Sequence, residues 1–307
     1  MNNMLSITLN QVLMMFTFMV TGFFMRKKNI GGSDLEKTLS ALLVNIFLPC
    51  MTYMCFADNF HLDTIAANAK FFIAGALVLA FTFLLAMVFS RMFAQNSLQK
   101  DVYMYSFLIP NISYMGFPLV LGVFGETALF YMMIFTIPYN MAIYTYGIYI
   151  LNPHRELSFK KILNPTIIAM ALGMIAGAFY FRLPAFLGDA VSAAKACMSP
   201  VAMLMTGYIL ASAPVKPLLT DLRLYLAALT RAVLIPGIVF VILLLLRADR
   251  EIILISVATL SMPMGLNSVV FPSAYGGDGL TGAKTTFVSN VISIVTIPVI
   301  FMLLGYL

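Results

Sequence analysis

The sequence predicts an all-α polytopic membrane protein of ten transmembrane helices. It predicts two inverted five-helix repeats, with broken, crossing helices fourth and ninth. Three observations carry this. The 307 residues are 62% hydrophobic and only 10% charged, with a mean hydropathy of +0.97, whereas soluble domains carry about 25% charged residues. Ten apolar runs approach the length of about 20 residues that a membrane helix needs. Two of those runs are interrupted in the same way, half a chain apart, at Pro110-Asn-Ile-Ser-Tyr-Met-Gly-Phe-Pro118 and at Pro263-Met-Gly-Leu-Asn-Ser-Val-Val-Phe-Pro272.

The spans follow in order. Span 1 covers 5–25 and ends on Arg26-Lys27-Lys28. This positive cluster follows the apolar run instead of preceding it, so the run is expected to be a retained helix and not a cleaved leader. Span 2 (35–57) holds Asn45 and Pro49, and span 3 covers 68–93. Span 4 (101–124) contains the first interruption, followed by Gly125-Glu126. Span 5 (127–151) holds Thr136-Ile-Pro138 and Asn140. Spans 6 and 7 cover 162–181 and 185–212, the latter with Lys195 and Cys197-Met-Ser-Pro200. Span 8 (222–247) holds Arg231. Span 9 (251–275) contains the second interruption, followed by Gly277-Asp278. Span 10 (282–306) holds Asn290 and Thr296-Ile-Pro298.

The net charge of +6 does not indicate nucleic acid, because the basic residues are scattered among loops and form no patch. They sort by side. The loops after odd spans hold twelve: Arg26, Lys27, Lys28, Lys37, Arg91, Lys100, Arg155, Lys160, Lys161, Lys216, Arg223 and Lys284. The alternate loops hold five: Lys70, Arg182, Lys195, Arg247 and Arg250. The odd loops should be cytoplasmic, which places both termini outside a cell (cytoplasmic or inner) membrane. Cys50, Cys55 and Cys197 fall in or near apolar spans and read as small apolar fillers. His61 and His154 lie far apart in loops, so no metal or cofactor is expected.

The halves correspond. Pro49 and Pro200, Pro110 and Pro263, Pro118 and Pro272, and Pro138 and Pro298 recur at offsets of 151, 153, 154 and 160. A duplicated five-span unit with one later insertion, placed in the loop 276–282, gives this series. The units would be 1–151 and 152–307. Five is odd, so the second unit enters the membrane in the opposite sense.

Proline removes a backbone donor and clashes with the preceding turn. In hydrocarbon such a break survives only where protein or a watery cavity covers it. A matched pair of interrupted spans points to a carrier's binding site. Each break exposes a half-helix N-terminus, which carries unpaired amides and about half a positive charge and suits a carboxylate or phosphate. Pro110, Asn111, Gly116, Pro263, Gly265 and Asn267 are therefore the candidate substrate-binding residues. The asparagines would offer polar contacts without the cost of a buried charge, and the glycines would allow close backbone approach. Asn111 and Asn267 could alternatively cap the broken helices. Asn45, Asn140 and Asn290 are further candidates that could equally bond a neighbouring helix. Glu126 and Asp278 are expected to cap the following helices. Lys195 and Arg231 could draw an anion inward or snorkel to an interface. No pair of intramembrane carboxylates stands out, which argues against a proton antiporter that titrates two midplane acids. No nucleophile–base pair suggests an enzyme.

The stretch from Asn111 to Gly125, with Asn, Met-Gly-x-Pro-Leu and a terminal Gly, resembles the first crossover of the auxin efflux carrier family, within the bile acid/arsenite/riboflavin transporter group. Met262-Pro-Met-Gly-Leu with Phe271 and Tyr275 resembles the second crossover. Pro200 to Gly207 resembles the family's seventh span, and Thr296-Ile-Pro298 its last. The ten spans without a large central loop are similar to short prokaryotic members. The resemblance implies a secondary carrier of small organic anions such as malate, malonate or auxin-like acids. It implies a dimerising scaffold (1–66 and 160–214) and a transport domain (67–151 and 215–307) that moves like an elevator. Asn111 and the peptide groups beside Pro110 and Pro263 would meet the carboxylate. The run Asn267-Ser268-Val269 departs from the family pattern. The alternatives are a carrier coupled to sodium or protons, as in bile acid carriers, and a ligand sensor that moves nothing.

Overall fold

The computed structural model describes residues 2–32, 34–61, 65–152, 164–211, 221–275 and 278–306. The basic residues Arg155, Lys160, Lys161 and Lys216, His154 and residues 276–277 lie outside them. The described residues form helices and one isolated two-residue pairing of extended backbone.

The helices are α1 (Asn2–Lys27), α2 (Leu35–Asn59), α3 (Ile65–Phe93), α4 (Ser97–Leu108), α5 (Ile112–Phe135) and α6 (137–151). They continue with α7 (Pro165–Ala178), α8 (Ala185–Leu210), α9 (Leu222–Leu245), α10 (Arg250–Leu260), α11 (Asn267–Tyr275) and α12 (Gly279–Leu304). Seven of them, α1, α2, α3, α5, α8, α9 and α12, are long and apolar enough to cross a membrane. The difference from ten expected spans has a local cause at two of them. Span 4 is divided between α4 and the start of α5, and span 9 between α10 and α11, so three of these pieces are too short to cross alone.

Helix starts are built by capping. Asn96 accepts from the Gln99 amide at 2.8 Å, Asn164 from Thr166 and Ile167 at 3.0 and 3.1 Å, and Asp221 from Arg223 at 3.0 Å. Asp278 accepts from Thr281 at 2.9 Å, as its position predicts. Glu126 behaves differently: its carboxylate takes a hydrogen bond from Lys195 Nζ at 2.6 Å. It follows Gly125, whose φ of 85° kinks α5 where spans 4 and 5 were expected to part. A side chain there would be strained, so glycine makes this corner.

α1 packs along α8, and α2 along α7. Gly22 and Gly207 bring the first pair together backbone to backbone, because a Cβ on either would strike a carbonyl of the other helix. α3 packs against α4, and α11 against α12 through Gly282, which lies on the Ser268 carbonyl. Of the three free cysteines only Cys55 is buried; Cys50 is half-buried and Cys197 exposed, so the filler role expected of all three holds for one.

Candidate functional site

The two interruptions meet. Pro110 and Met264 form an antiparallel bridge, and the Asn111 amide donates to the Pro263 carbonyl at 2.8 Å. The chain enters this crossing extended at Ile109 (φ −110°, ψ 109°), where α4 stops. It leaves through a π-turn, Ile112–Gly116, closed by the Gly116 amide donating to the Asn111 carbonyl at 3.0 Å. Pro110 has no amide to give, and Pro118 directly follows the π-turn, at the change from π to α geometry in α5. In the second half α10 stops at Leu260, and α11 begins at Asn267 with tight turns from Ser268 N to Gly265 O and from Val269 N to Leu266 O. The N-termini of α5 and α11 thus lie beside one another. Each leaves amides without an intrahelical partner, and each carries the positive end of a helix dipole.

Two glycines permit this contact. A Cβ on Gly265 would lie 3.3 Å from the Pro110 carbonyl oxygen, and one on Gly116 would lie 2.8 Å from Met132 Cε and 3.3 Å from Met262 Cγ. Side-chain hydroxyls from α12 and α11 finish the second break. Ser289 Oγ accepts from the Met264 amide at 3.0 Å. Ser268 Oγ donates to the Gly265 carbonyl at 2.7 Å and lies 3.1 Å from Thr286 Oγ1. Ser289 and Thr286 were not singled out in the sequence, and Ser268 only within a run that departs from the family pattern, because a hydroxyl residue in an apolar helix is an ordinary occurrence.

The asparagines separate. Asn111 is 3% exposed, and its side chain makes no capping bond; the Nδ2 group is buried without a partner. Asn267 is half-buried at the first position of α11, beside Tyr105. Tyr105 packs edge-on against Phe271 at 6.3 Å. Asn290 is fully buried in α12, with Nδ2 donating to the Thr286 carbonyl at 2.8 Å and Oδ1 unsatisfied. Asn140 borders a small space of about 40 Å³ between α2, α5, α6 and α7. Asn45 is exposed on α2 and donates to the Ala41 carbonyl at 2.8 Å, so it is not brought to the crossing. Pro110, Pro263, Gly116 and Gly265 are all buried there.

A cavity of about 340 Å³ opens between α1, α2, α5 and α8, lined among others by Gln11, Met51, Pro118, Gly122, Lys195 and Ser199. Pro118 and Gly122 belong to the half-helix that starts at the crossing, so this space reaches its flank. Lys195 supplies a cation on the cavity wall, held by Glu126. Arg231 departs from the interfacial placement that was one of its two readings: it is 0% exposed, and Nη1 donates to the Leu260 carbonyl at 2.8 Å. Among the described residues no group of three or more His, Cys, Asp or Glu side chains is placed to hold a metal.

A family model described as membrane transport protein matches residues 7–158 and 155–301, nearly the whole chain. No curated protein matches the chain. A multi-pass chain whose described part is helical, and whose length is covered by that family model, is a membrane transporter: it belongs to the auxin efflux carrier family of membrane transport proteins.

Proposed function

We propose that the protein carries small organic anions, with malonate- or malate-like carboxylates as the substrate class, across a cell membrane by alternating access. The observation that carries this reading is the buried, unpartnered Asn111 side-chain Nδ2 group at the meeting point of two half-helix N-termini. A polar side chain left unsatisfied in a membrane interior is costly. A carboxylate seated there would take hydrogen bonds from Asn111 and from the free backbone amides, and both helix dipoles favour its charge. Gly265 lets the backbones approach and Gly116 leaves room for the Met132 and Met262 side chains, while Asn267 and the Lys195-walled cavity offer polar groups nearby.

In this reading the chain makes ten spans in two inverted repeats, with both termini outside. α4 and the first part of α5 form span 4; α10 and α11 form span 9. The pairs α1–α8 and α2–α7 serve as the scaffold, and also as the dimer contact implied by the family. The remaining helices carry the crossing as a moving body. Protein in liposomes should take up malonate saturably, and Asn111→Ala should lower that uptake by about tenfold or more, the loss expected for about 1.4 kcal/mol or more of binding. Undiminished uptake by the variant would remove the site. Binding of a carboxylate with no flux under any gradient would favour the sensor reading.

A further inference from the structure

We infer that Arg231 is a built-in countercharge for the carried anion, standing where a soluble coupling cation would otherwise be needed. The inference rests on the anion-carrier reading above. Arg231 heads the set of largest fully buried side chains, at 0% exposure, and it projects from a π-turn, Thr230–Leu234, in the middle of α9. Of its donors, Nη1 holds the Leu260 carbonyl at 2.8 Å, while Nε and Nη2 have no partner. Among the described residues no carboxylate pairs with it.

Its place matters more than its burial. Leu260 is the last residue of α10, the half-helix that ends at the second break. Such an end presents freed carbonyls and about half a negative charge. In carriers built from broken helices, half-helix C-termini and unwound carbonyls are the groups that coordinate a driving sodium ion or proton. Here a guanidinium donates to one of those carbonyls instead. The helix end offsets only part of a full positive charge, and a buried ion without a partner is expensive. The remainder acts forward through the crossing: three residues beyond Leu260, the Pro263 carbonyl receives the Asn111 amide. An anion at the paired N-termini would therefore complete a charge balance begun by Arg231, and the loaded site would need no sodium.

The test compares wild type, Arg231→Lys and Arg231→Gln. Thermal unfolding of the purified proteins is followed in sodium chloride and in N-methylglucamine chloride of equal strength, and malonate uptake is measured in liposomes under the same two salts. Wild type should unfold at the same temperature in both salts and transport equally in both. Arg231→Lys, which keeps the charge, should stay within about threefold of wild-type uptake, whereas Arg231→Gln should lose about tenfold or more. A mere packing role would not sort the variants by charge. Sodium-specific stabilisation of wild type, sodium-dependent malonate uptake, or wild-type uptake by Arg231→Gln would each overturn the inference. Should the Gln variant fail to fold, the wild-type salt comparison and the Lys variant still decide. If wild type takes up no malonate yet sodium leaves its unfolding unchanged, the choice of cargo has failed and not the assignment of the cation.

Discussion

Ser289 shows how much of the second break depends on one hydroxyl. Its oxygen is the partner of the Met264 amide in a buried stretch. Ser289→Ala should therefore lower stability by about 1–3 kcal/mol, the cost of stranding a buried donor, seen as a fall in the unfolding temperature of purified protein. Asn111 is the opposite case. Its Nδ2 group is stranded already, so truncating the side chain should spare stability while it removes transport. Asn111 stood out in the sequence because an amide side chain beside proline in an apolar run must either cap the broken helix or face something else, and in the structure it makes no capping bond. The burial of Arg231 was not legible. A lone arginine in an apolar span fits equally well with a side chain reaching the interface, and only the fold shows Leu260 waiting for it.

The interrupted spans were the most readable elements, because two prolines, glycine and asparagine contradict a continuous helix. Their boundaries follow from local chemistry: α4 stops before Pro110 and α10 before Pro263. What the residues could not tell is how α11 is held. It is only nine residues long, and it is supported by the close approach of Gly282 on α12 to the Ser268 backbone. Gly282→Ala would push a methyl into the Ser268 carbonyl and part the two helices. The expected loss is about 1–3 kcal/mol, as for other overpacked contacts, together with weaker malonate uptake because the second half-site moves with α11. Thermal unfolding and flux on the same preparation check both. Glu126 marks a limit of element-level reasoning. Its position before span 5 suggested a cap, but a longer-range partner, Lys195, claimed it.

At the scale of the molecule, that ion pair joins α8 to the corner of α5, across the line between the proposed scaffold and the proposed moving body. It is half-exposed on the glutamate side and so adds little stability. Its value lies in reporting which conformation is present. In a variant freed of Cys50, Cys55 and Cys197, cysteines at 126 and 195 should react with a short bifunctional thiol reagent. Malonate uptake should then stop, because the two bodies can no longer slide; uptake that continues after complete crosslinking would show that they do not move past each other. The proposed division comes from the family resemblance alone, because proline spacing speaks only to the repeat and not to which helices would move. The pairing of Pro110 with Met264 has one more consequence. It clasps two segments that are far apart in sequence, and each segment feeds directly into a helix. Adding or deleting one residue between clasp and helix would turn everything beyond it by about 100°, swinging the proposed binding groups out of alignment. The middle of this protein is thus locked in length: exchanged side chains fit there, whereas added residues fit only in the outer turns.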